Sequence, residues 1–412
     1  GKDMLPLDDA HRARIAKLTA DLNADGFRVI AVATKTYDVA QPSYAAVDEA
    51  ELCLQGFIAF LDPPKDTAAP ALAALAARGV RVKILTGDND LVTQKTCRDV
   101  GLTITGVVLG SDVEAMDDAA LAAAAETANV FAKVSPSQKA RIIAALQSKD
   151  HVVGFLGDGI NDGPALKRAD VGISVDTAVD IAKESADIVL LEKNLAILID
   201  GVVEGRRVFG KIIKYDKIGA SSSFGNMFSV LGASIFLPFL PMAPLQVLAN
   251  NLLYDFSQTT IPTDTVDVEY LEQPRRWAIG NIMRFMLCVG PISSIFDYAT
   301  YFTMLYVFDG WTNVALFQTG WFVESILTQT LIIHIIRTAR KPFIESWASP
   351  PLILSTLLIC GIAIALPYSP LAGPLQLTAL PALYWPIVAS FLVCYAVLTT
   401  IVKSWFIRRW GM

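Results

Sequence analysis

The chain's 412 residues are 53% hydrophobic and only 18% charged, with a mean hydropathy of +0.46, too apolar on average for one soluble domain. A net charge of −6 and the lack of a basic run of useful length exclude a nucleic-acid partner. The 5 cysteines (Cys53, Cys97, Cys288, Cys360, Cys394) are isolated, with no CxxC pair, and read as reduced, buried thiols rather than a disulfide framework or zinc site.

The apolar excess is uneven. Residues 1–205 alternate apolar and charged stretches, whereas long apolar runs dominate from Gly219 onward. A soluble half followed by a membrane half is expected. The opening GKDMLPLDDAHRARI lacks the apolar core of a signal peptide and an initiator Met, so the expectation is a fragment.

In chain order, residues 9–25 read as an amphipathic helix, and FRVIAVATK (27–35) and ELCLQGFIAFLD (51–62) as strands with a polar loop between. A helix over 69–79 and a strand VRVKIL (80–85) lead into Thr-Gly-Asp. Strand VVLG (107–110), an Ala-rich helix near 115–127, strand VFAKV (130–134) and a helix over 137–149 follow. Strand VVGFL (152–156) runs into Gly-Asp-Gly, and VGISV (171–175) and DIVLL (187–191) close the set. Continuous apolar strands alternating with helices predict an α/β fold with a parallel, doubly wound sheet.

Ligands of such sheets bind beyond the C-terminal strand ends. Three polar clusters occupy that position. Thr86, Gly87 and Asp88 follow VKIL; Pro136 and Lys139 follow VFAKV; Asp158, Asn161 and Asp162 follow VVGFL. A hydroxyl and backbone amides hold phosphate oxygens, a lysine offsets developing negative charge, and a carboxylate holds Mg²⁺. Taken singly, Thr-Gly-Asp is equally an Asp-capped turn, and Lys139 a solvated helix lysine. GDGINDGPAL is more specific, because a plain turn needs neither two acids nor three glycines.

ILTGDN, KVSPSQK and GDGINDGPALKRADVGISV together resemble the phosphorylation domain of the P-type ATPases, whose fold is haloacid-dehalogenase-like. LDPPK (61–65) resembles the family's hinge motif, with Lys65 where many pumps carry Arg. The resemblance implies that Thr86 and Lys139 contact the transferred phosphoryl group, with Gly87 and Asp88 in the same motif. Asp158 would be the catalytic Mg²⁺ ligand, with Asn161 and Asp162 completing the loop and Asp162 a second metal-side carboxylate. Asp62 and Lys65 fall on the cofactor side, toward ATP. The family's nucleophile is the Asp of a DKTGT motif, which these 412 residues do not contain. Asp62 is a poor substitute, because the two prolines after it remove N–H groups that a phosphate cradle uses. By resemblance, residues 1–60 are the last part of a nucleotide-binding domain, 61–205 the phosphorylation domain and 206–412 an all-α transmembrane bundle. The expected partner is then the missing N-terminal portion of a pump, without which the chain does not turn over.

Six apolar segments near the length of a spanning helix are placed at 219–240, 244–263, 282–307, 315–336, 351–368 and 381–403. Arg275, Arg276, Arg340 and Lys341 lie in alternate loops, and the tail KSWFIRRW is basic. Those loops and the tail are therefore expected in the cytoplasm with residues 1–205. Polar residues within spans mark ion paths: Ser221, Ser222, Ser223 and Asn226 in the first, Asn250, Asn251 and Asp255 in the second, Asp297 in the third, and Glu324, Gln329 and His334 in the fourth. The serines read equally as helix-packing residues, Glu324 as a structural hydrogen-bond partner, and His334 as interfacial. Asn251 and Asp255 are four apart and share a helix face. Oxygen ligands suit a hard cation such as Mg²⁺, Ca²⁺ or Na⁺.

SSSFGNMFSVLGASIFLPFLPM, NNLLYDFSQTTIPTD, FMLCVGPISSIFDYATYF and FQTGWFVESILTQTLIIHIIRT are similar to the bacterial magnesium-transporting P-type ATPases. That resemblance implies Mg²⁺ import driven by ATP across the bacterial plasma membrane. Asn226 and Asp255, then Asn251, would be the transport ligands, with Glu324 on the same cation path. Calcium or a monovalent ion is the alternative cargo. A membrane-anchored haloacid-dehalogenase-like phosphatase and a non-enzymatic channel or regulatory remnant are the alternative classes.

Overall fold

The computed structural model describes residues 5–37, 43–192 and 194–411. Residues 38–42, within the polar loop between the first two expected strands, lie outside the described residues. The chain forms two compact units, Gly1–Gly201 and Val202–Met412.

The first unit opens with α1 (Asp9–Ala24), capped by Asp8, whose side chain accepts from His11 N. Strands β1 (Phe27–Thr34) and β2 (Cys53–Leu61) then pair antiparallel, from Phe27 opposite Leu61 to Thr34 opposite Cys53, with an irregularity at Val32/Ala33. Both strands match the sequence expectation, but they form their own two-stranded sheet and do not join the parallel one.

The elements from α2 (Ala68–Ala77) to β8 alternate as expected: β3 (Ile84–Leu85), α3 (Asp90–Asp99), β4 (Val107–Leu109), α4 (Gly110–Ala115), α5 (Asp118–Thr127), β5 (Val130–Ala132), α6 (Pro136–Gln147), β6 (Gly154–Leu156), α7 (Gly163–Arg168), β7 (Val171–Val175), α8 (Asp180–Ser185) and β8 (Ile188–Leu190). All the pairings among these strands are parallel. They form two three-stranded sheets, ordered β3-β5-β4 and β6-β7-β8, where one sheet was expected. Strand β5 is central and completely buried, its Phe131 in one core cluster with Val108, Leu121 and Ile142. Strands β3 and β6 are edges: each is paired on one side only among the described residues, and Leu156 of β6 is 40% exposed. The expected strand 80–85 shortens to its last two residues, because Val80–Lys83 find no ladder partner.

The second unit is helical. Helix α9 (Ala196–Phe236) crosses the unit boundary without a break, and α10 (Pro244–Gln258), α11 (Val268–Leu271), α12 (Ile279–Tyr306), α13 (Val314–Ile336), α14 (Pro350–Ala365) and α15 (Tyr384–Trp410) follow. Among the described residues, four stretches are long and apolar enough to cross a membrane: Ile279–Tyr306, Val314–Ile336, Pro350–Tyr368 and Tyr384–Trp410. They match the last four expected spans. The first two expected spans fall within α9 and α10, and α10 has only 15 residues. Helix α13 is the axis of the bundle. Its spanning window is 94% buried, with α10, α12, α14 and α15 packed around it.

One end of this unit is locked by charge. Arg337 and Asp264, each 2% exposed at the side chain, pair at 2.7 Å. Arg337 also donates to Ser346 Oγ and the Trp347 carbonyl. Lys403 donates to the carbonyls of Ile335, Thr338 and Arg340. Lys214 donates to the Thr265 carbonyl at 2.7 Å, and burial, only partly offset by Asp264 and Asp267, pulls its ammonium below the ordinary lysine range. These contacts gather the loops after α10 and α13 and the last helix at one end, the arrangement that the basic loops require if they share one membrane face.

Helices α9 and α12 meet backbone to backbone. A Cβ on Gly225 would lie 2.1 Å from Ser293 Oγ and 2.7 Å from the Gly290 carbonyl oxygen, so small residues set this crossing. Gly225→Ala is therefore expected to destabilise the helical unit by about 1–3 kcal/mol. Gly361→Ala on α14, where the added methyl meets nothing within 4 Å, should be neutral or stabilising by up to about 1 kcal/mol. Thermal unfolding of both variants in one detergent tests the contrast.

Candidate functional site

Each of the three polar clusters is held by main-chain hydrogen bonds. At the end of β3, Thr86 N donates to the Phe131 carbonyl (2.9 Å), and Val134 N returns a bond to the Thr86 carbonyl (3.0 Å). Lys133 N donates to the Asp88 carbonyl (2.9 Å), and Asp88 N donates to Thr86 Oγ1 (3.1 Å). The Thr-Gly-Asp turn is thus stitched to the end of β5, which fixes where the threonine hydroxyl sits. Gly87 stays exposed. The Asp88 carboxylate accepts from Arg28 of β1 at 2.6 Å, with both side chains well exposed. That surface pair contributes about 1 kcal/mol at most, and no spacing in the sequence foretold it.

Helix α6 begins where β5 ends because Ser-Pro-Ser-Gln is a strong helix start. Ser135 caps the helix by accepting from Gln138 N, Gln138 Oε1 accepts in return from Ser135 N, and Pro136 occupies the first turn. Lys139 follows one turn in. Its ammonium lies 2.8 Å from Asp162 Oδ1, with the two side chains only 12% and 13% exposed. The other Asp162 oxygen accepts from Gly159 N (3.1 Å).

The loop after β6 folds back on itself. A Cβ on Gly157 would come within 2.6 Å of Asp162 Cβ, so only glycine lets Asp162 approach. Gly157 N donates to the Ile173 carbonyl (3.0 Å), and the buried Ser174 hydroxyl donates to the Gly157 carbonyl (2.9 Å). Val179 N donates to the Asp158 carbonyl (3.3 Å). The main chain of Asp158 is therefore fixed from two sides, while its carboxylate is exposed and makes no hydrogen bond among the described residues. Asn161 is also exposed.

The structure thus brings Lys139 and Asp162 together and fixes Thr86 and Asp158 at the C-terminal ends of β3 and β6. Asp162 is engaged by Lys139 and Gly159, whereas Asp158 has its oxygens free. An exposed, unpartnered carboxylate on a rigid glycine-lined loop fits a hard divalent cation. Asp62 and Lys65 lie exposed in the loop between β2 and α2.

In the helical unit, Asn251 and Asp255 do share a face. With Ser223, Tyr254 and Gln258 they line a cleft of about 760 Å³. Asn226, one turn beyond Ser223 on α9, is half-buried and is not part of the lining. Glu324 is elsewhere. It is 0% exposed within the helix bundle and sits beside Asp297, whose carboxylate accepts from Ser229 Oγ (2.6 Å) and Trp321 Nε1 (2.7 Å). Sequence reasoning noted both acids as mid-span residues but did not pair them. Their pairing depends on the rotation of α12 against α13, which a single sequence does not display. Asn250 faces α13 rather than the cleft and accepts from Gln329 Nε2 (3.1 Å).

Residues 35–170 match the haloacid dehalogenase-like hydrolase family, and residues 239–405 match the cation transporting ATPase C-terminus. An α/β unit of the first family followed by a helical unit of the second defines the class: the chain belongs to the P-type ATPases. Among relatives, it is 54% identical over 411 residues to the magnesium-transporting ATPase, P-type 1, of Salmonella typhimurium, covering 99% of this chain and 46% of the relative. The Escherichia coli K12 protein of the same name matches at the same identity and coverage. Calcium-transporting ATPase 1 of Yarrowia lipolytica is 32% identical over 277 residues, 66% of this chain and 30% of the relative. The chain spans about half the length of the magnesium-transporting relatives it matches.

Removing the lysine strands a buried carboxylate. Lys139→Met is expected to cost about 1–3 kcal/mol, and adding Asp162→Asn should restore much of it, because the uncompensated charge is then gone. Chemical denaturation of the single and double variants checks both the loss and its recovery.

Proposed function

We propose that the chain forms the phosphate-handling and ion-binding parts of an ATP-driven pump that imports Mg²⁺ through an aspartyl-phosphate cycle. The observation that carries this reading is the conjunction, in one chain, of two oxygen-rich sites of different design. One is a rigid strand-end site with Thr86, Lys139 and Asp158. The other is a membrane-unit cleft with Ser223, Asn251 and Asp255 in its lining. The 54% identity to proteins named as magnesium-transporting supports the choice of ion.

In this reading, Thr86 and the adjacent backbone amides orient the phosphoryl group, and Lys139 offsets the charge that develops on its oxygens. Asp162 holds that lysine in place. Asp158 would hold the catalytic Mg²⁺, with Asn161 beside it; when bound, the ion neutralises phosphate charge. The nucleophilic aspartate comes from a part of the pump outside these 412 residues, so the chain does not turn over alone. The free edges of β3 and β6, each ending in a phosphate-side motif, support a further strand supplied from there. Asp62 and Lys65 lie on the nucleotide side.

The cleft suits an ion that keeps its water. Six waters at about 30 Å³ each fill roughly 180 Å³, well within the 760 Å³ available. One carboxylate and a few neutral oxygens suit a partly hydrated Mg²⁺ better than a fully dehydrated ion. Asp255 is the charged ligand and Asn251 an amide ligand in the cleft; Asn226 lies one turn beyond Ser223, outside the lining, and Glu324 belongs to another site. The membrane is the bacterial plasma membrane, with residues 1–205 and the basic loops and tail in the cytoplasm.

In the complete pump, Asp255→Asn should lower Mg²⁺ uptake at least about 100-fold while phosphoenzyme still forms from ATP. Asp158→Ala should lower both ATP hydrolysis and phosphoenzyme formation by at least about 100-fold. Uptake into cells lacking other magnesium transporters, beside phosphoenzyme trapping, separates the two sites. Ca²⁺-stimulated rather than Mg²⁺-stimulated turnover would assign the other cargo, and unchanged uptake in Asp255→Asn would remove the cleft from the pathway.

A further inference from the structure

The acidic pair in the bundle core lies away from the cleft. Asp297 on α12 is 2% exposed and Glu324 on α13 is 0% exposed. Their surroundings are unequal. Asp297 Oδ1 accepts from Trp321 Nε1 at 2.7 Å, and Oδ2 lies 2.6 Å from the Ser229 hydroxyl. The Ser229 hydroxyl also lies 3.0 Å from the Gly225 carbonyl; having one hydrogen, it gives it to the closer and more strongly accepting carboxylate. Neither Glu324 oxygen meets an N–H or O–H from another residue. Its neighbour is the other carboxyl.

No cation compensates the pair. The other titratable groups within electrostatic reach are four phenols: Tyr298 and Tyr301 on α12, and Tyr384 and Tyr395 on α15. Tyr298 and Tyr384 give their protons to the carbonyls of Phe228 and Gly320. No Lys, Arg or His of the described residues stands with them. Two adjacent carboxylates with almost no solvent-accessible surface would each lose hydration and repel the other.

We propose that Asp297 and Glu324 form an intramembrane proton site that holds one proton, carried by Glu324 and shared with Asp297. The geometry orders the pair. The carboxyl with two donors is the charged one, and the carboxyl with none is the acid whose O–H points at it. With a proton in place, Asp297 accepts three hydrogen bonds and one of the two orphaned Glu324 oxygens becomes a donor. A metal ion is a poorer occupant, since the indole N–H and the serine hydroxyl already take up both Asp297 oxygens. The site stands whichever cation the cleft takes.

The test is infrared spectroscopy of the full chain in lipid nanodiscs, in H₂O and D₂O, at neutral and alkaline pH. One carbonyl-stretch band of a protonated carboxylic acid is expected, shifted by D₂O, persisting at alkaline pH and unmoved by added Mg²⁺ or Na⁺. Glu324→Gln, a neutral isostere, should lose the band, and Asp297→Asn should shift it. Absence of the band from the wild type, its survival in Glu324→Gln, or its disappearance on adding Mg²⁺ or Na⁺ would each overturn the proposal. If Glu324→Gln does not fold, Asp297→Asn decides: a shifted band supports the site and an unshifted one refutes it.

Discussion

The Lys139–Asp162 ion pair joins two pieces of chain that have no strand pairing between them. Lys139 belongs to the helix that leaves the β3-β5-β4 sheet, and Asp162 to the loop that leaves β6. Packing of α6 against α7 brings the sheets together, but apolar packing tolerates small slips. A 2.8 Å contact between nearly buried charges does not. Nearly every other feature of the soluble site serves this contact. Ser135 and Pro136 start α6 at the right residue, Gly157 leaves room for the Asp162 side chain, and Ser174 holds the Gly157 carbonyl. A buried pair is a weak source of stability, because desolvation offsets its Coulombic gain. Its value here is registry, since it fixes the distance between the Thr86 turn and the Asp158 loop.

Much of this was legible in the chain. Apolar runs ending in Thr-Gly-Asp, Lys-Val-Ser-Pro and Gly-Asp-Gly located three strand ends, and helical periodicity located the helices between them. The capping box at Ser135 could be read directly, because capping is local. The Lys139–Asp162 contact could not: it spans 23 residues and depends on how two sheets pack. The same limit explains the division into two sheets and the antiparallel pairing of β1 with β2. Hydrophobic patterns report burial of a strand, not the identity of its neighbours. Arg28 shows the limit again, since nothing in FRVIAVATK marks it as the partner of Asp88, 60 residues away.

In the helical unit, the polar residues singled out from the sequence all fall on helices, but a sequence does not display how they group. Asn251 and Asp255 share a face because they lie on one helix at a spacing of four, a rule internal to α10. Glu324 was placed on the same cation path, yet it faces Asp297. Which side of α13 meets α12 follows from close contacts such as Gly320, where a Cβ would lie 2.5 Å from Met304 Sδ. Those contacts are set by shape complementarity over many turns, and a window of sequence does not contain them.

The two acidic sites of the membrane unit differ in access to water, and that difference assigns their chemistry. A carboxylate transferred from water to a dry interior loses several kcal/mol of effective hydration. Asp255 avoids this loss because it lines a cleft wide enough for water. Glu324 has neither water-accessible surface nor a donor, so a proton is the least costly neutraliser within reach. The same residue class therefore meets opposite surroundings on α10 and α13, one open to a cleft and the other enclosed in the bundle. Helix α13, buried over nearly its whole span and carrying Glu324, Ser325, Thr328 and Gln329, ties the Thr328 hydroxyl to its own carbonyls and the Gln329 amide N–H to Ser325, while Gln329 Oε1 and both Glu324 oxygens have no partner among the described residues. Glu324 is the one carboxyl on this helix, and a proton on it turns one of its two unpartnered oxygens into a donor toward Asp297.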